Sequence, residues 1–371
     1  MKKIGVLFGQ ENTFPGALVE RINAMEVDGV RAEFVQVGGV EMAKRCPYAV
    51  IVDRISHDVP FYRSYLKNAA MTGTAVINNP FWWSADDKFF NYALAAKLGV
   101  AVPKTVLLPS KFYPPMTDAQ SFRNLEFPLQ WDEIFAYVGF DAFLKPHDGG
   151  GWRDVFHVHN PEDFFAAYDQ TRDLVMTLQA AVKFKEYFRC YVVGQEEVRI
   201  MAYDPRRPHE QRYVLEKQTY PAGLLERVER DALTLCRALG YDLNTVEFAV
   251  EDGVPYAIDF MNPAPDADRH SVGEENFKWI VDRVAKLAVK KAATTGTPMQ
   301  GLRWSSFLTG DTPMKKVAKK PEKKRTSGAE LISEERNEPQ KVKAHEEDLR
   351  AQNVKAARAA VIRAQLPPKK R

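Results

Sequence analysis

Glu247 and Asp259 stand on two segments that alternate apolar and polar residues. Val246, Phe248 and Val250 punctuate the first, and Val254, Tyr256, Ile258 and Phe260 the second. A period of two reads as a pair of strands. If Glu251-Asp252-Gly253 forms the turn, Val250 pairs with Val254 and Glu247 with Ala257. Glu247 and Asp259 then lie diagonally on one face, with Asn262 close to the strand end. A one-residue slip would separate them, so the reading depends on that turn. Two carboxylates about 5 Å apart repel by roughly 3 kcal/mol at an effective dielectric of 20. A cation would offset this, and carboxylate and amide oxygens are hard ligands suited to Mg²⁺ or Mn²⁺ bridging to phosphates. The other reading is a solvent-exposed face whose charges are screened. The hairpin alone leaves both open.

Gly149, Gly150 and Gly151 follow a short apolar segment, 142–146, that ends in Lys145-Pro146. Consecutive glycines let backbone N–H groups converge on an anion, and Lys145 adds a point charge beside them. The loop is no Walker A sequence, since no Gly-Lys-Ser/Thr follows and the next element reads as a strand. No Gly-x-Gly-x-x-Gly occurs either. A flexible turn is an equal reading of the triplet. His157 and His159 alternate on one strand, but the sequence places no third residue at metal-ligand spacing beside them, which points to ordinary polar histidines. Trp82-Trp83 reads as an anchor at a domain junction.

The elements that must hold these groups fall into two kinds. Segments 3–8, 31–37, 49–55 and 74–77 read as strands alternating with helices over 15–25 and 59–71, the pattern of a parallel α/β sheet. Ligands on such sheets collect beyond the carboxyl ends of strands. Here those ends carry Gln10-Glu11-Asn12, Asp53-Arg54 and Asn78-Asn79, which serve equally as turns and caps. Residues 84–100 read as a helix with Ser84 as N-cap, Asp86 and Asp87 in the first turn and Gly99 at the end. Strands follow at 105–108, 142–146, 155–158 and 175–182, with helices near 131–138 and over 161–170. Then come a hairpin (187–193 and 197–203), a helix (222–239), the carboxylate hairpin and a helix over 274–293.

Composition sets the outer limits. The chain has 371 residues, 45% hydrophobic and 27% charged, which is ordinary for a globular protein of two or three domains and excludes collagen-like or wholly disordered chains. No apolar run approaches the roughly 18 residues of a membrane span. The N-terminal apolar run is too short for an export signal, and Cys46, Cys190 and Cys236 are too far apart in sequence for a redox or zinc pair, so the expected compartment is the cytoplasm. The net charge of +3 hides a division. Residues 312–371 carry 17 Lys+Arg against 8 Asp+Glu, leaving 35 against 41 in the rest, and all 42 aromatics lie at or before Phe307. Such a segment cannot bury enough apolar area to offset its ordering entropy. It reads as a largely disordered basic tail, with a thin helical stripe over 345–366. The run 315–325 either solubilises the chain or makes a weak polyanion contact.

Three stretches in order resemble the ATP-grasp superfamily over roughly residues 75–290. They are Asn78-Asn79-Pro80 with Asp87-Lys88 and Leu98-Gly99-Val100-Ala101-Val102-Pro103; Phe143-Leu144-Lys145-Pro146 with the glycine triplet; and Glu247, Asp259 and Asn262-Pro263. The likeness is to the carboxylate–amine ligase type, in the manner of glutathione synthetase and the ribosomal-protein glutamate ligase. It implies an α/β fold, α+β in its second half, divided as an N-terminal parallel α/β domain (1–83), a central lid subdomain (84–182), a C-terminal mixed-sheet subdomain with the metal site (183–307) and the tail (308–371). ATP would lie between the two ATP-grasp subdomains. The resemblance implies Lys88 and Lys145 as nucleotide-phosphate lysines and Gly149, Gly150 and Gly151 as the loop over the triphosphate. It implies Gln179 on the adenine-binding strand, Glu186 at the ribose, and Glu247, Asp259 and Asn262 as ligands of Mg²⁺ or Mn²⁺. Arg199 is the catalytic candidate for oxyanion stabilisation, with Arg212 as the alternative.

The sequence departs from the family pattern in places. Ala180 replaces the usual acid after the hinge glutamine, Asp259 stands where Glu is usual, and Asp-x-x-Asn replaces Glu-x-Asn. The implied activity is formation of an amide or peptide bond through an acylphosphate, from small-molecule or peptide carboxylate and amine substrates. The alternatives are a catalytically degenerate nucleotide-binding scaffold acting through its basic tail, and an ATP-using kinase. The stretch 263–272, with Asp266, Asp268, Arg269 and His270, either borders the acceptor site or is a solvated connection. Asn12, Asp53 and Arg54 are further candidates for substrate contact.

Overall fold

The computed structural model describes residues 1–81, 87–208, 211–216 and 218–294. Trp82-Trp83, Ser84, Asp86 and the expected tail at 308–371, with its 315–325 and 345–366 segments, lie outside the described residues.

Three four-stranded sheets follow one another along the chain. The first is parallel, with β1 (Lys2–Leu7), β2 (Val30–Phe34), β3 (Tyr48–Asp53) and β4 (Ala75–Ile77) in the order β2-β1-β3-β4. Helix α1 (Phe14–Asn23) covers one face and α2 (Pro60–Met71) the other, each burying an apolar stripe. After α3 (Lys88–Lys97) comes an antiparallel sheet of β5 (Thr105–Leu108), β6 (Ala142–Pro146), β7 (Phe156–Val158) and β8 (Met176–Ala180), ordered β5-β8-β6-β7. Helices α4 (Trp131–Val138) and α5 (Pro161–Tyr168) close one of its faces with a cluster around Phe164 and Trp131. The third sheet is also antiparallel, with β9 (Glu186–Val193), β10 (Glu197–Ala202), β11 (Leu243–Glu251) and β12 (Val254–Asp259) in the order β10-β9-β11-β12. Helix α6 (Leu224–Leu239) buries Val228, Ala232, Leu235 and Leu239 against one face. A single turn, α7 (Arg269–Val272), precedes α8 (Glu274–Ala293). Helix α8 packs between the first and third sheets in one core shared with Ile4, Val50, Tyr191 and Leu243.

Several element boundaries differ from expectation. The second strand stops at Phe34. Helix α3 starts at Lys88 because Asp87 is its N-cap, accepting from Phe90 N at 2.9 Å, so the cap is not Ser84. A larger difference lies in the carboxylate hairpin. The turn is the two-residue Asp252-Gly253, so Glu251 pairs with Val254 and Val250 with Pro255. A bulge between Glu247 and Phe248 in the pairing then shifts the register and sets Glu247 directly opposite Asp259. The expected Val250–Val254 and Glu247–Ala257 pairs do not form, yet the two carboxylates come closer than the diagonal reading placed them.

Asn78, just beyond β4, ties the first sheet to the third. Its side chain donates to Leu243 O (2.6 Å) and Pro263 O (3.3 Å) and accepts from Asp242 N and Leu243 N, both at 2.8 Å. It is 6% exposed, so its partners cannot turn to water instead. Asn78→Ala strands buried backbone groups, and the expected loss in a urea titration is about 3 kcal/mol. A loss under about 1 kcal/mol would mean that water takes over those bonds.

Candidate nucleotide cleft

A cleft opens between the second and third sheets, enclosing about 1020 Å³ when the space open to solvent is counted. Lys88, Phe143, Lys145, Gln179, Ala180 and the loop Asp148-Gly149-Gly150-Gly151 line one side. Tyr187, Glu247, Ala249, Ile258 and Asp259 line the other, with Val182, Phe184 and Pro205 at its border. The sequence candidates Lys88, Lys145, Gly149, Gly150, Gly151, Gln179, Glu247 and Asp259 are therefore gathered on one cavity.

Alternation along β6 explains the lid wall. Ala142 and Leu144 enter the helix-covered core, so Phe143 and Lys145 face the cleft. Lys145 Nζ donates to Gln179 Oε1 (2.8 Å) and Tyr92 Oη (2.7 Å), and Tyr92 Oη in turn donates to Ile258 O at 2.6 Å. Gln179 also donates to Thr105 Oγ1 at 2.9 Å, so its amide holds the lysine in place. Burial keeps the Tyr92 phenol well above its usual range, so it remains a donor. The opening of α3 is fixed to the same wall, as Lys88 N donates to His147 O at 2.8 Å.

The glycine loop has room around it. A Cβ at Gly149, Gly150 or Gly151 would meet nothing within 4 Å, so close approach is not what requires glycine. Gly149 and Gly151 instead hold φ of +74° and +73°, values that L side chains adopt at a cost.

The opposite wall centres on Glu247. Its side chain is 21% exposed and its neighbour Arg189 12%. Arg189 Nε lies 3.4 Å from Glu247 Oε1, and Tyr187 donates to Oε2 at 2.6 Å. Burial pushes the Glu247 carboxyl above its ordinary range, Arg189 opposes this, and Asp259 adds to it. Asp259 itself is exposed toward the cleft. Oriented to satisfy its neighbours, the Asn262 amide accepts from Arg189 Nη2 at 3.3 Å and donates to Ala264 O at 3.2 Å. Asn262 thus stands beside the pair through Arg189 and is not among the residues lining the cavity. The Glu247 and Asp259 carboxylates are hard oxygen donors of the kind a Mg²⁺-class ion takes, with both Glu247 oxygens already engaged by Arg189 and Tyr187.

Two expected residues are not brought in. Glu186 precedes Tyr187 on β9, so the two-residue period turns it to the other face, where its charge acts on Tyr220. Arg199 is committed to α8, donating to Asn276 Oδ1 (2.9 Å) and Glu275 Oε1 (2.6 Å). The sequence reading missed Tyr92, Tyr187 and Arg189. The alternation of Tyr187 with Arg189 was visible, but the pairing of β9 with β11 that sets Arg189 opposite Glu247 was not.

A second cavity lies at the carboxyl ends of β1 and β3. Glu11, Asn12, Arg54, His57, Asp266 and Asp268 line it with their neighbours. Arg54, 3% exposed, donates to the Glu11 carboxylate and to Pro265 O, and its Nη1 is buried without a partner. Asp53 instead caps its own turn through Ile55 N and Ser56 N. Arg269 and His270 are exposed on α7.

Burial lowers the pKa of Lys145 to about 8, against the raising fields of Asp259 and Glu247. The unfolded chain holds that proton up to about 10.4. Between those values unfolding takes up a proton, so this group makes the folded state more stable as pH rises from about 8 to about 10.4. That increment should vanish in Lys145→Met when stability is followed by urea titration across this range; an unchanged slope would mean that Lys145 titrates normally.

No protein-family model and no curated sequence matches the chain. Solved structures match its fold. D-alanine–D-alanine ligase from Bacillus anthracis complexed with ATP aligns over 79% of this chain and 98% of its own, at 17% identity and a TM-score of 0.55. VanG D-Ala:D-Ser ligase from Enterococcus faecalis covers 78% and 99%, at 14% identity and a TM-score of 0.56. A RiPP-associated ATP-grasp ligase from Chryseobacterium gregarium, in complex with ADP and a leader and core peptide, covers 78% and 97%, at 16% identity and a TM-score of 0.52. Three sheets, a cleft between the last two, and neighbours that share this plan over nearly their whole length lead to one conclusion: the chain has the ATP-grasp fold.

Proposed function

We propose that the protein is an ATP-dependent ligase that joins a carboxylate to an amine. One observation carries this reading: two lysines, a glycine loop and a facing carboxylate pair converge on a single cleft between two sheets. The structural neighbours add support, since they are described as ligases, one with ATP bound and one with ADP and peptide. In this reading the sheet of β5–β8 is the lid, the sheet of β9–β12 is the floor, and the chain divides at 1–83, 84–182 and 183–307.

The substrate carboxylate attacks the γ-phosphoryl group of ATP, giving an acylphosphate and ADP. The amine then attacks the acyl carbon, phosphate leaves and the amine loses a proton. Lys88 and Lys145 would neutralise charge on the transferring phosphoryl group, and the glycine loop would cover it. Glu247 and Asp259, with Asn262 nearby, would hold Mg²⁺ or Mn²⁺, which supplies charge neutralisation between phosphate oxygens. Arg212 replaces Arg199 as the oxyanion candidate. It shares a turn with the cleft residue Pro205, through Asp204 N donating to Arg212 O at 2.8 Å, and its charge acts on Glu247. The acceptor, a small molecule or a peptide, would occupy the Glu11–Arg54 cavity.

One observation favours a second reading, nucleotide binding without ligation: Glu247 already has Arg189 and Tyr187 as partners. Under that reading ATP binds, no phosphate is released with any amino-acid or peptide acceptor, and truncation at Thr312 abolishes a salt-sensitive polyanion interaction.

Thermal unfolding with Mg²⁺-ATP and a chelator control tests the common premise. At a hundred times the dissociation constant the nucleotide should stabilise the protein by about 2.7 kcal/mol, a rise of several degrees. Lys145→Ala should weaken Mg²⁺-ATP at least about tenfold, the loss of roughly 1.4 kcal/mol from a charge-assisted contact. No shift at millimolar nucleotide, or unchanged affinity in a folded Lys145→Ala protein, would overturn the reading. No helix among the described residues is long and apolar enough to cross a membrane.

A further inference from the structure

The two histidines that looked isolated in the sequence have a third partner. In the antiparallel pairing of β6 with β7, Ala142 stands opposite Val158 and Phe143 opposite His157. That register carries Asp141, one residue before β6, to His159, one residue after β7. Asp141 Oδ1 lies 2.6 Å from His159 Nδ1, and the His157 and His159 rings are 4.3 Å apart, centre to centre. One ligand atom from each of Asp141, His157 and His159 lies within 4.8 Å of the others. Sequence spacing failed here because the third group comes from the neighbouring strand.

We infer that Asp141, His157 and His159 form a binding site for a divalent transition-metal ion of the Zn²⁺ class, separate from the hard-cation site in the cleft. Three features support this. Two imidazoles and one carboxylate are the donors that borderline ions such as Zn²⁺, Ni²⁺ and Co²⁺ select, whereas Mg²⁺ favours oxygen alone. Strand β7 is the outer strand of its sheet and both histidines are exposed, so an ion can reach them without opening the fold. One ligand is also held in advance, because the Phe143 ring stacks on His157 at 4.6 Å and 15°. Tetrahedral ligands at Zn²⁺ sit about 3.4 Å apart for bonds near 2.1 Å. Exposed side chains close the remaining distance by small rotations.

The plain alternative is an Asp–His hydrogen bond at a sheet edge, with His157 serving only as a stacking partner. It predicts no saturable Co²⁺ binding, or a binding indifferent to His157. The inference does not depend on the ligase reading, since none of the three residues lines the nucleotide cleft.

The test uses full-length, tag-free protein stripped with chelator and titrated with Co²⁺, followed by its visible absorption, and with Zn²⁺ in competition. One equivalent of Co²⁺ should bind with bands typical of nitrogen and oxygen ligands, and Zn²⁺ should displace it. His157→Ala and His159→Ala should each weaken binding at least about tenfold. Both substitutions lie on exposed positions, and circular dichroism would confirm that the fold survives. Asp259→Asn should leave Co²⁺ binding unchanged. The absence of saturable binding, an affinity indifferent to both histidine variants, or a loss caused by Asp259→Asn would each overturn the proposal.

Discussion

The cleft depends on holding two carboxylates next to each other where one of them is largely out of water. Glu247 and Asp259 face each other across a hairpin, and their mutual repulsion adds to the desolvation that raises the Glu247 carboxyl. Arg189 makes the arrangement tolerable. It stands opposite Glu247 on β9, and its guanidinium also lies 5.4 Å from the Tyr203 ring. Removing one partner of such a pair leaves an uncompensated charge, a larger cost than the pair's net worth. The constraint extends to the sheet order. Strand β9 must be the neighbour of β11 on the side away from β12, or Glu247 has no counter-charge, and β10-β9-β11-β12 meets that condition.

Three short polar links tie the three sheets to this pair. Asn78 joins the end of β4 to the start of β11 and to the backbone after β12. The chain Lys145–Tyr92–Ile258 spans from the lid strand β6 to the residue beside Asp259. The His147 carbonyl holds the first residue of α3 against the end of β6. Each link ends on at least one backbone group, which keeps its position when side chains rearrange. Helix α8 supplies the apolar counterpart, filling the space between the first and third sheets with Phe277, Ile280, Val281 and Val284.

Much of this was legible in the sequence wherever local periodicity decides. The spans of β5, β6, α4 and α8 follow directly from apolar spacing and turn residues. Lys145 and the glycine triplet stood out because a strand end beside three glycines is a local pattern. The carboxylate pair was legible for a partly wrong reason. The turn was placed one residue out, and a bulge that no spacing announces restored the closeness of Glu247 to Asp259. Non-local pairing was the real limit. Arg189 and Asp141 act through strands distant in sequence, and neither alternation nor composition says which strands pair. Glu186 failed differently. The alternation that puts Tyr187 on the cleft excludes its neighbour, so the period of β9 outweighs any motif-based position for that acid.

Lys145 shows why such a cleft calls for an anion. Its two hydrogen bonds go to a phenol and an amide, both neutral, and among the described residues no carboxylate lies within ion-pairing distance of it. Burial lowers the pKa of this ammonium more than the fields of Asp259 and Glu247 raise it. A lysine held mainly to complete the fold would be expected to have a carboxylate in contact or its head in water. Lys145 has no carboxylate in contact among the described residues, and its head stands half-buried on the wall of the cleft. An anion entering the cleft would supply an opposite charge beside Lys145. The protein has met the cost of desolvating the ammonium during folding. That is the physical sense in which the Lys145 wall of the cleft is preorganised.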